Sequence, residues 1–403
     1  MTTIRKNNLI SILMITVASC LLYGIGAGIR SNYGIMLGAI SESSGLAYST
    51  VSFVVAVSLL VFGIMQPVFG IVALKKSNLF VLCCGILCMV TGLLIIPFCR
   101  SAWMLMIFLG VILPAGIGAL SFGIVMGAIT PRLSDSSTST VSGVVSASSG
   151  IGSIILSPVI QALIAASGLM GAMIFLSVPT LALLPVALWL CRPQAGHEQK
   201  QEPTAEPWNK ESLKELFFDA IHNRTYRFIL IGFFTCGFHM AIIETHLFTQ
   251  ITTYGISEQT AAYAFSIYGF AAITGSILSG IACSRIKMKN VLGFLYGARC
   301  IIVLMFFLVP KTKITIYTFT VFLGMTGNST VPPTSGLVSR TFGAAKLATL
   351  FGMAFVSHQL GSFFSAWFGG VSISATGSYA PIWGASILFS VLASFVSLRI
   401  KEV

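Results

Sequence analysis

The sequence contains little charge. Only 8% of its 403 residues are Asp, Glu, Lys or Arg and 56% are hydrophobic, whereas soluble domains contain about 25% charged and about 45–50% apolar residues. This shortage excludes a soluble enzyme, a disordered chain and a fibrous protein. Because a helix needs about 20 apolar residues to cross a bilayer, the chain has room for about a dozen crossings but not for an added catalytic domain.

Motifs of nucleotide and metal chemistry are also missing. The sequence contains no Walker motif, and the glycines of its first apolar run lack GxGxxG spacing and fit close helix packing instead. No His, Asp or Glu stands near Cys83, Cys84 and Cys88, so buried free thiols are expected there and no metal or cofactor. The apolar run after Arg5 and Lys6 lacks a cleavage site, which predicts a first membrane helix rather than a signal peptide.

Twelve apolar stretches fill most of the chain. They predict transmembrane helices, since barrel strands would alternate polar and apolar residues and these stretches do not. The stretches cover roughly 9–40, 47–73, 79–98, 102–130, 139–166, 168–191, 226–252, 259–283, 290–309, 313–338, 347–373 and 380–399. The predicted fold class is an all-α membrane protein with twelve transmembrane helices.

Basic residues are distributed unevenly between the loops. With the N-terminus inside, 18 of the 23 Lys and Arg fall on the inner side and only Arg100, Lys311 and Lys313 on the outer side. Cytoplasmic loops of membrane proteins carry such an excess, so both termini are predicted to be cytoplasmic. The net charge of +12 is therefore a signal of topology, and no nucleic-acid partner is expected.

One long polar segment, 192–225, divides the chain into halves at 1–191 and 226–403. Its first part is rich in Pro and Gln. Apolar residues then recur at helical spacing: Leu213, Leu216, Phe217, Ala220 and Ile221. This pattern predicts an amphipathic helix on the cytoplasmic membrane surface that links the two six-helix halves. A regulatory partner site is the alternative.

The two halves repeat a sequence pattern. Gly143 and Gly152-Ser153 match Gly352 and Gly361-Ser362 at an offset of 209 residues. Two parallel six-helix repeats are a transporter architecture, in which the substrate site lies between the halves near mid-membrane.

Several segments carry a family resemblance. They are 34–38, 66–70, 236–240, 245–247, 333–338, 357–362 and 376–379. With these the chain resembles the major facilitator superfamily over essentially its full length, and more narrowly the bacterial monocarboxylate-porter group. The resemblance implies two pseudo-symmetric six-helix halves, ATP-independent transport by alternating access, no enzymatic activity, a location in the bacterial inner membrane and a monomeric state.

The sequence departs from the family pattern in two places. The loop motif between helices 2 and 3 has Leu74 at its Asp position and Ser77 at its second Gly position, and its second copy has Ser284 at the Asp position. In the family that carboxylate helps to hold the cytoplasmic side closed, so this contact is expected to be weaker here or to be made by other residues. Animal monocarboxylate carriers have a lysine where this chain has Asn32 and an Asp/Arg pair in helix 8, which here is uncharged. This departure argues against lactate as the substrate.

Few ionisable residues fall inside the predicted helices, where each costs roughly 2.5–3.5 kcal/mol on insertion scales. Aligning Gly24 with Gly237 places Arg30 opposite Ile243, next to Glu244 and at similar depth. In one interpretation Arg30 binds a substrate carboxylate and Glu244 carries a coupling proton. In the other, the two form an ion pair that closes the outer gate.

Other polar residues complete the candidate site. His358 and Gln359 form a polar step in helix 11, predicted either to bind substrate or protons or to bond a neighbouring helix. His239 and His246 lie two turns apart, on nearly one face of helix 7, and His239 is a candidate substrate ligand, whereas His246 either points the same way or lies near the wetted outer end. The three histidines and Glu244 do not have the spacing of a metal-ligand motif. Arg299 in helix 9 is assigned either to the substrate pathway or to a structural role.

Helix 10 and the end of helix 1 supply the remaining candidates. Pro332 and Pro333 free backbone carbonyls and bend helix 10, which places Asn328 and Thr334 near the substrate. Asn32 and Tyr33, beside Arg30, belong to the same predicted substrate-binding set.

The predicted function is secondary active transport of a small organic anion, a mono- or dicarboxylate, coupled to protons or by exchange. One alternative is transport of a larger amphipathic compound such as a drug, siderophore or vitamin. An intramembrane enzyme would need a nucleophile with its base or a metal motif at suitable spacing, and none is found. A sensor would need an output domain, for which the central segment is too short. The expected partners are a small-molecule substrate, protons and lipid.

Overall fold

A computed structural model describes residues 2–133, 135–192 and 210–402, and within these ranges all regular elements are helical. The first half contains α1 (Thr2–Ser31), α2 (Tyr33–Ser44), α3 (Tyr48–Lys75), α4 (Asn78–Ile95), α5 (Ala102–Leu105), α6 (Leu113–Ala119), α7 (Phe122–Ile129), α8 (Asp135–Leu181) and α9 (Leu183–Leu190). The connecting helix is α10 (Lys210–His222). The second half contains α11 (Arg224–Ile242), α12 (Phe248–Thr253), α13 (Glu258–Cys283), α14 (Met288–Leu308), α15 (Lys313–Thr326), α16 (Val331–Phe342), α17 (Ala344–Thr376) and α18 (Ala380–Leu398).

Short irregular helical turns connect some of these elements. Turns of 3₁₀ helix occur at Ile96–Phe98, Thr130–Arg132 and Asn328–Thr330. Turns of π-helix occur at Met106–Ile112 and Ile243–Leu247. Because π-turns are rare and frequently mark functional sites, the second of them, which contains Glu244 and His246, is a candidate functional element.

The helices form twelve membrane crossings. Nine stretches of the described chain are long and apolar enough to span a bilayer. One of them, Val141–Leu190, is 50 residues long and contains two crossings, which meet at Gly168, where φ is +66°. Since that stretch counts as two, the nine stretches contain ten crossings. The pair α15–α16 and the helix α17 form one further crossing each, so the total is twelve, which confirms the predicted fold class.

We number the crossings in chain order. Crossing 1 is α1 and α2, crossing 2 is α3, crossing 3 is α4 and crossing 4 is α5 to α7. Crossing 5 is α8 up to Gly168, and crossing 6 is the rest of α8 together with α9. Crossing 7 is α11 and α12, crossing 8 is α13, crossing 9 is α14, crossing 10 is α15 and α16, crossing 11 is α17 and crossing 12 is α18.

A helix, α10, forms within the polar segment that joins the halves. Leu216 and Ala220 on one face are buried, whereas Phe218 is exposed. Its placement on the membrane surface and the boundaries of the two halves stay predictions, and the segment 193–209 lies outside the described residues.

Glycines allow unusually close packing at the centre of each half. Crossing 1 packs on crossing 5, where a Cβ on Gly152 would overlap the carbonyl oxygen of Gly24 and one on Gly28 would lie 2.8 Å from the backbone of Gly152. Crossing 7 packs on crossing 11 in the same way, because a Cβ on Gly361 would overlap the carbonyl oxygen of Phe234. The helix axes can approach this closely only because these positions lack side chains.

These equivalent contacts also fix the alignment of the two halves. Gly24 in the first half and Phe234 in the second half accept the equivalent close contacts, so they are equivalent positions at an offset of 210 residues. The same offset makes Gly34 equivalent to Glu244. The expected match of Gly24 with Gly237 is therefore wrong by three residues. It failed because it matched glycine to glycine, whereas the second half makes its close contact on the backbone of a phenylalanine.

The halves meet along crossings 2 and 11 for about half of their length. The ring of Phe53 lies 5.3 Å from that of Trp367, and the ring of Phe62 lies 6.4 Å from that of Phe355. Beyond these contacts, no residue of 64–76 is buried. We call the side of the bundle near residues 64–76 and α10 the terminal side, and the other the opposite side. The halves are thus in contact toward the opposite side, and we call the terminal part of crossing 2, where residues 64–76 are not buried, the cleft side.

Crossings 5 and 8 close the same side. Gln161 Nε2 donates to Glu258 Oε2 at 2.6 Å, and Ser266 Oγ donates to the carbonyl of Ile154 at 2.8 Å. Glu258 begins α13 at the end remote from the terminal side, so this contact joins the halves near the opposite surface.

On the terminal side, a carboxylate near the chain end braces the second half. Glu402 accepts from Arg340 Nη1 at 2.9 Å and from the amides of Met288 and Lys289, each at 3.1 Å. A carboxylate at a helix N-terminus satisfies unpaired amides and is favoured by the helix dipole. This brace joins crossings 9 and 10 without the Asp that the loop motif lacks at Ser284.

We expect Gly152→Ala to lower the thermal unfolding temperature of the purified protein. The added methyl overlaps crossing 1, and overpacking of this kind typically costs about 1–3 kcal/mol. Gly143→Ala in the same helix is the matched control, because a Cβ there meets nothing within 4 Å. Equal unfolding temperatures for the two variants would contradict the close packing described above.

Candidate functional site

An ion pair joins the two halves. Arg30 Nη1 donates to Glu244 Oε2 at 2.7 Å and Nη2 donates to Oε1 at 3.3 Å, so the guanidinium and the carboxylate meet in a two-pronged contact. The exposed fraction of the side chain is 22% for Arg30 and 10% for Glu244, so neither is sealed completely. The structure brings together the two residues that the sequence analysis placed at similar depth.

Both partners lie at irregular points of their crossings. Asn32 separates α1 from α2 just after Arg30, and Glu244 belongs to the π-helical turn Ile243–Leu247. Gly34 lets the two segments touch, because a Cβ there would lie 2.8 Å from the carbonyl oxygen of Glu244. Since Gly34 and Glu244 are equivalent positions of the two halves, the contact lies close to the pseudo-symmetry axis.

Arg30 retains the capacity to bind a further acceptor. Its Nε atom is buried and has no hydrogen-bond partner in the part of the chain that the structure describes. Its guanidinium carbon lies 5.1 Å from the centre of the Phe62 ring, a favourable cation–π distance. The pair therefore has an apolar wall on one side and an unused donor on the arginine.

Asn32 and Tyr33 do not reach the pair. Asn32 is fully buried, donates from Nδ2 to the carbonyl of Gly28 at 2.7 Å and accepts from Ser157 Oγ at 2.6 Å. The buried Tyr33 hydroxyl accepts from Ser58 Oγ at 3.1 Å. Both side chains brace the end of α1 inside the first half, which corrects their predicted place beside the substrate: sequence fixes their depth but not the direction in which they point.

His358 and Gln359 lie between the halves. Gln359 Nε2 donates to the carbonyl of Leu59 in crossing 2 at 2.6 Å, and its Oε1 lies 3.0 Å from His358 Nδ1. The half-buried ring of His358 stacks on Phe355, with centres 5.3 Å apart and planes 4° from parallel. Gln359, unlike Asn32, therefore joins the two halves, and His358 is bonded to it from within the second half.

His239 lies inside the second half. Its Nδ1 is 2.9 Å from Ser386 Oγ and its ring meets Trp383 edge-on at 5.8 Å. The side chain is fully buried against crossing 12. It is therefore not at the interface between the halves, which corrects its prediction as a substrate ligand.

Arg299 is fully buried and bonded to backbone. Its Nη2 donates to the carbonyl of Thr326 and, at 2.8 Å, to that of Gly327, and it lies 3.6 Å from Cys236 Sγ. These carbonyls end α15, where the helix dipole is negative and favours a cation. The structural role is thus the one that the contacts support, and the expected place of Arg299 in the substrate pathway is corrected.

The helix of crossing 10 is broken directly after the carbonyls that Arg299 binds. Because Pro332 and Pro333 carry no amide hydrogen, the helix cannot continue its regular ladder. The carbonyl of Ser329 is taken instead by Ser279 Oγ at 2.6 Å. Thr334 is buried and Asn328 is exposed, and the place of both near the substrate stays a prediction.

A polar cluster on the opposite side was not predicted. The Tyr48 hydroxyl from the first half lies 3.2 Å from His246 Nδ1, 3.2 Å from Thr249 Oγ1 and 3.2 Å from the Tyr379 hydroxyl. His246 is fully buried, so its expected place at the wetted outer end is wrong. The sequence carries no signal for the cluster, because Tyr48 begins its crossing in an unremarkable polar stretch.

The sequence profile of the Major Facilitator Superfamily matches residues 19–366 and 251–401. The chain belongs to the major facilitator superfamily. It is therefore a multi-pass membrane transporter that works by alternating access on a small-molecule substrate, and not an enzyme.

Similar proteins include an uncharacterized MFS-type transporter, YcxA, of Bacillus subtilis (strain 168), 23% identical over 361 residues that cover 87% of this chain and 85% of YcxA. The structure of a D-xylose-proton symporter covers 98% of both chains with a TM-score of 0.74 at 14% identity. That of a bacterial homologue of the human lysosomal transporter Spinster, inward-facing and occupied, covers 96% of both chains with a TM-score of 0.75 at 12% identity. Its inward-facing, unoccupied form covers 96% of this transporter and 98% of its own chain, with a TM-score of 0.74 at 13% identity. At these identities the structures show the shared fold alone.

We expect Arg299→Gln to destabilise the transporter strongly. It leaves two buried carbonyls without their donor, and each unpaired group costs roughly 1–3 kcal/mol. The unfolding temperature should fall by several degrees relative to the parent, whereas Arg285→Gln, which changes an exposed loop arginine, should leave it unchanged. An Arg299→Gln variant as stable as the parent would refute the structural role.

Proposed function

We propose that the transporter moves a small organic anion, a mono- or dicarboxylate, across the bacterial inner membrane together with protons or by exchange. The observation that carries this proposal is the two-pronged contact between Arg30 and Glu244, which spans the two halves. A guanidinium that already holds one carboxylate in this geometry matches a second carboxylate equally well.

Substrate binding would replace one carboxylate by another. The incoming anion takes the Nη donors of Arg30, and the unpaired Nε offers an additional hydrogen bond. Glu244, deprived of its partner in a largely buried position, then gains most by accepting a proton. The ion pair that joins the two halves is broken in the same step, so substrate binding is linked to separation of the halves.

The same exchange explains proton coupling. Glu244 binds a proton only when Arg30 is engaged elsewhere, and the anion binds Arg30 most easily when Glu244 is neutral. Reciprocal linkage then requires each to favour the other. His358, half-buried beside Gln359, is the second candidate for a proton in this pathway.

For orientation we propose that the terminal side faces the cytoplasm, with both termini there, and that the transporter works as a monomer. The excess of basic residues in the loops of this side supports the orientation. The cleft then opens inward, as in the two Spinster-homologue structures, which are inward-facing. Within the superfamily we place the chain near the monocarboxylate-porter group, on the sequence segments named above.

Aromatic rings around the site favour a second candidate, a larger amphipathic compound. Phe62 packs on Arg30, and Phe355 and Phe233 both contact the ring of His358, at 5.3 and 5.1 Å between centres. Such rings bind extended apolar groups as readily as they line a pathway for small anions.

Thermal unfolding in the presence of candidate ligands separates the two functions. We expect one carboxylate from a panel to raise the unfolding temperature of the parent, since a ligand of the native state stabilises it by mass action. Arg30→Lys keeps the charge but loses the fork, so the apparent affinity should fall about 10–100-fold. Stabilisation only by large neutral or cationic compounds, equal in Arg30→Lys, would refute the anion proposal.

We further expect Glu244→Gln to bind that carboxylate tightly and independently of pH. The amide imitates the protonated acid and leaves Arg30 free, whereas in the parent the affinity should increase as the pH falls and Glu244 takes up a proton. Affinities measured by the same thermal method at two pH values provide the comparison. A parent affinity that does not change with pH would exclude coupling through Glu244.

A further inference from the structure

The cluster around His246 closes the opposite side of the transporter independently of the Arg30–Glu244 pair. Tyr48 comes from crossing 2 of the first half, whereas His246, Thr249 and Tyr379 come from crossings 7 and 12 of the second half. Any motion that opens the opposite side must pull the Tyr48 hydroxyl away from the imidazole. The ring is packed tightly, because a Cβ on Gly369 would overlap it.

The hydrogen bonds of His246 define its protonation state in the closed form. Its Nε2 lies 2.8 Å from the carbonyl oxygen of Ala366, which can only accept, so Nε2 carries the hydrogen. Nδ1 then accepts from the Tyr48 hydroxyl, which shares its single hydrogen between Nδ1 and Thr249 Oγ1, each 3.2 Å away, and accepts in turn from Tyr379. The neutral imidazole is therefore satisfied at both nitrogens while the halves are together.

The neighbours of His246 offer no compensation for a positive charge. The titratable groups on the elements packed around it include Tyr48 from α3, Tyr33 and Glu42 from α2, Arg30 from α1, His239 and Glu244 from its own crossing, His358 from α17 and Tyr379 before α18. Glu42 lies at an exposed helix end and Glu244 is held by Arg30. Among the described contacts of His246 there is no carboxylate.

We propose that His246 is a proton-binding site of the gate on the opposite side: the neutral ring holds the gate shut, and the protonated ring holds it open. This proposal depends on the transport fold alone and not on the substrate. A buried imidazolium without a counter-ion is costly, whereas the same ring in water is protonated readily. Protons therefore bind the open form better and shift the equilibrium toward it.

The size of the effect follows from this linkage. A hydrated imidazole titrates near pH 6.5, so the ratio of open to closed gate should increase about tenfold between about pH 7.5 and about pH 5.5 if the closed form binds no proton. Protons supplied on the opposite side therefore favour opening of the gate toward that same side.

Cysteine labelling measures the gate without a substrate. Ser52 is fully buried one turn inward from Tyr48, so a Ser52→Cys side chain meets a small membrane-impermeant methanethiosulfonate only when the gate opens. The labelling rate of Ser52→Cys is measured on intact cells. It is divided by the labelling rate of Gln259→Cys, an exposed position on the same side, and this division removes the pH dependence of the reagent. If Gln259→Cys is unlabelled on cells, inside-out vesicles expose the same side.

We expect the normalised rate to increase about tenfold between about pH 7.5 and about pH 5.5 in the Ser52→Cys chain and to stay level when His246→Asn is added. His239→Asn is the matched control, because it removes another buried histidine of the same crossing that contacts only the second half, and it should keep the tenfold increase. An unchanged pH response in His246→Asn would overturn the proposal.

Tyr48→Phe provides a second variant in case His246→Asn does not reach the membrane. It removes only the hydroxyl that joins the halves, so the labelling rate at about pH 7.5 should increase and the ratio between the two pH values should shrink. A rate at about pH 7.5 equal to that of the parent would likewise contradict the role of this contact.

Discussion

A polar group that this transporter buries in the membrane must find its partner within the chain, because lipid offers none. That constraint decides where the few intramembrane charges lie. Arg30 is placed on a carboxylate of the other half, and Arg299 is placed on carbonyls that a broken helix leaves unpaired. The ion pair between the halves depends on the first of these pairings, and the second stabilises the broken end of α15.

The two buried arginines differ in the kind of group that they bind, and this difference separates a proposed substrate-binding residue from a structural one. Arg30 holds a side chain across an interface, and a competing anion can take the place of that carboxylate. Arg299 holds main-chain carbonyls within one half, and nothing that enters from the cleft can replace them without dismantling the helix. Both residues look alike in sequence, since each is a lone arginine in an apolar run.

The sequence predicted the twelve crossings and the two halves, and it placed Arg30 and Glu244 at similar depth, with an ion pair between them as one of two interpretations. These depend on apolar length and on depth in the membrane, which a linear pattern records. It misplaced Asn32 and His239, because the direction of a side chain around its helix depends on breaks and π-turns that no residue pattern announces. The contact between Tyr48 and His246 joins positions almost two hundred residues apart and has no local signal.

The π-helical turn Ile243–Leu247 has a geometric consequence for crossing 7. Such a turn contains one more residue than a turn of α-helix. Its return to regular α-helix would rotate the outer end of the crossing by about 100° against the inner part. The inner part is held on crossing 11 by glycine contacts, so this rotation would give the outer end new neighbours while the packed centre keeps its place.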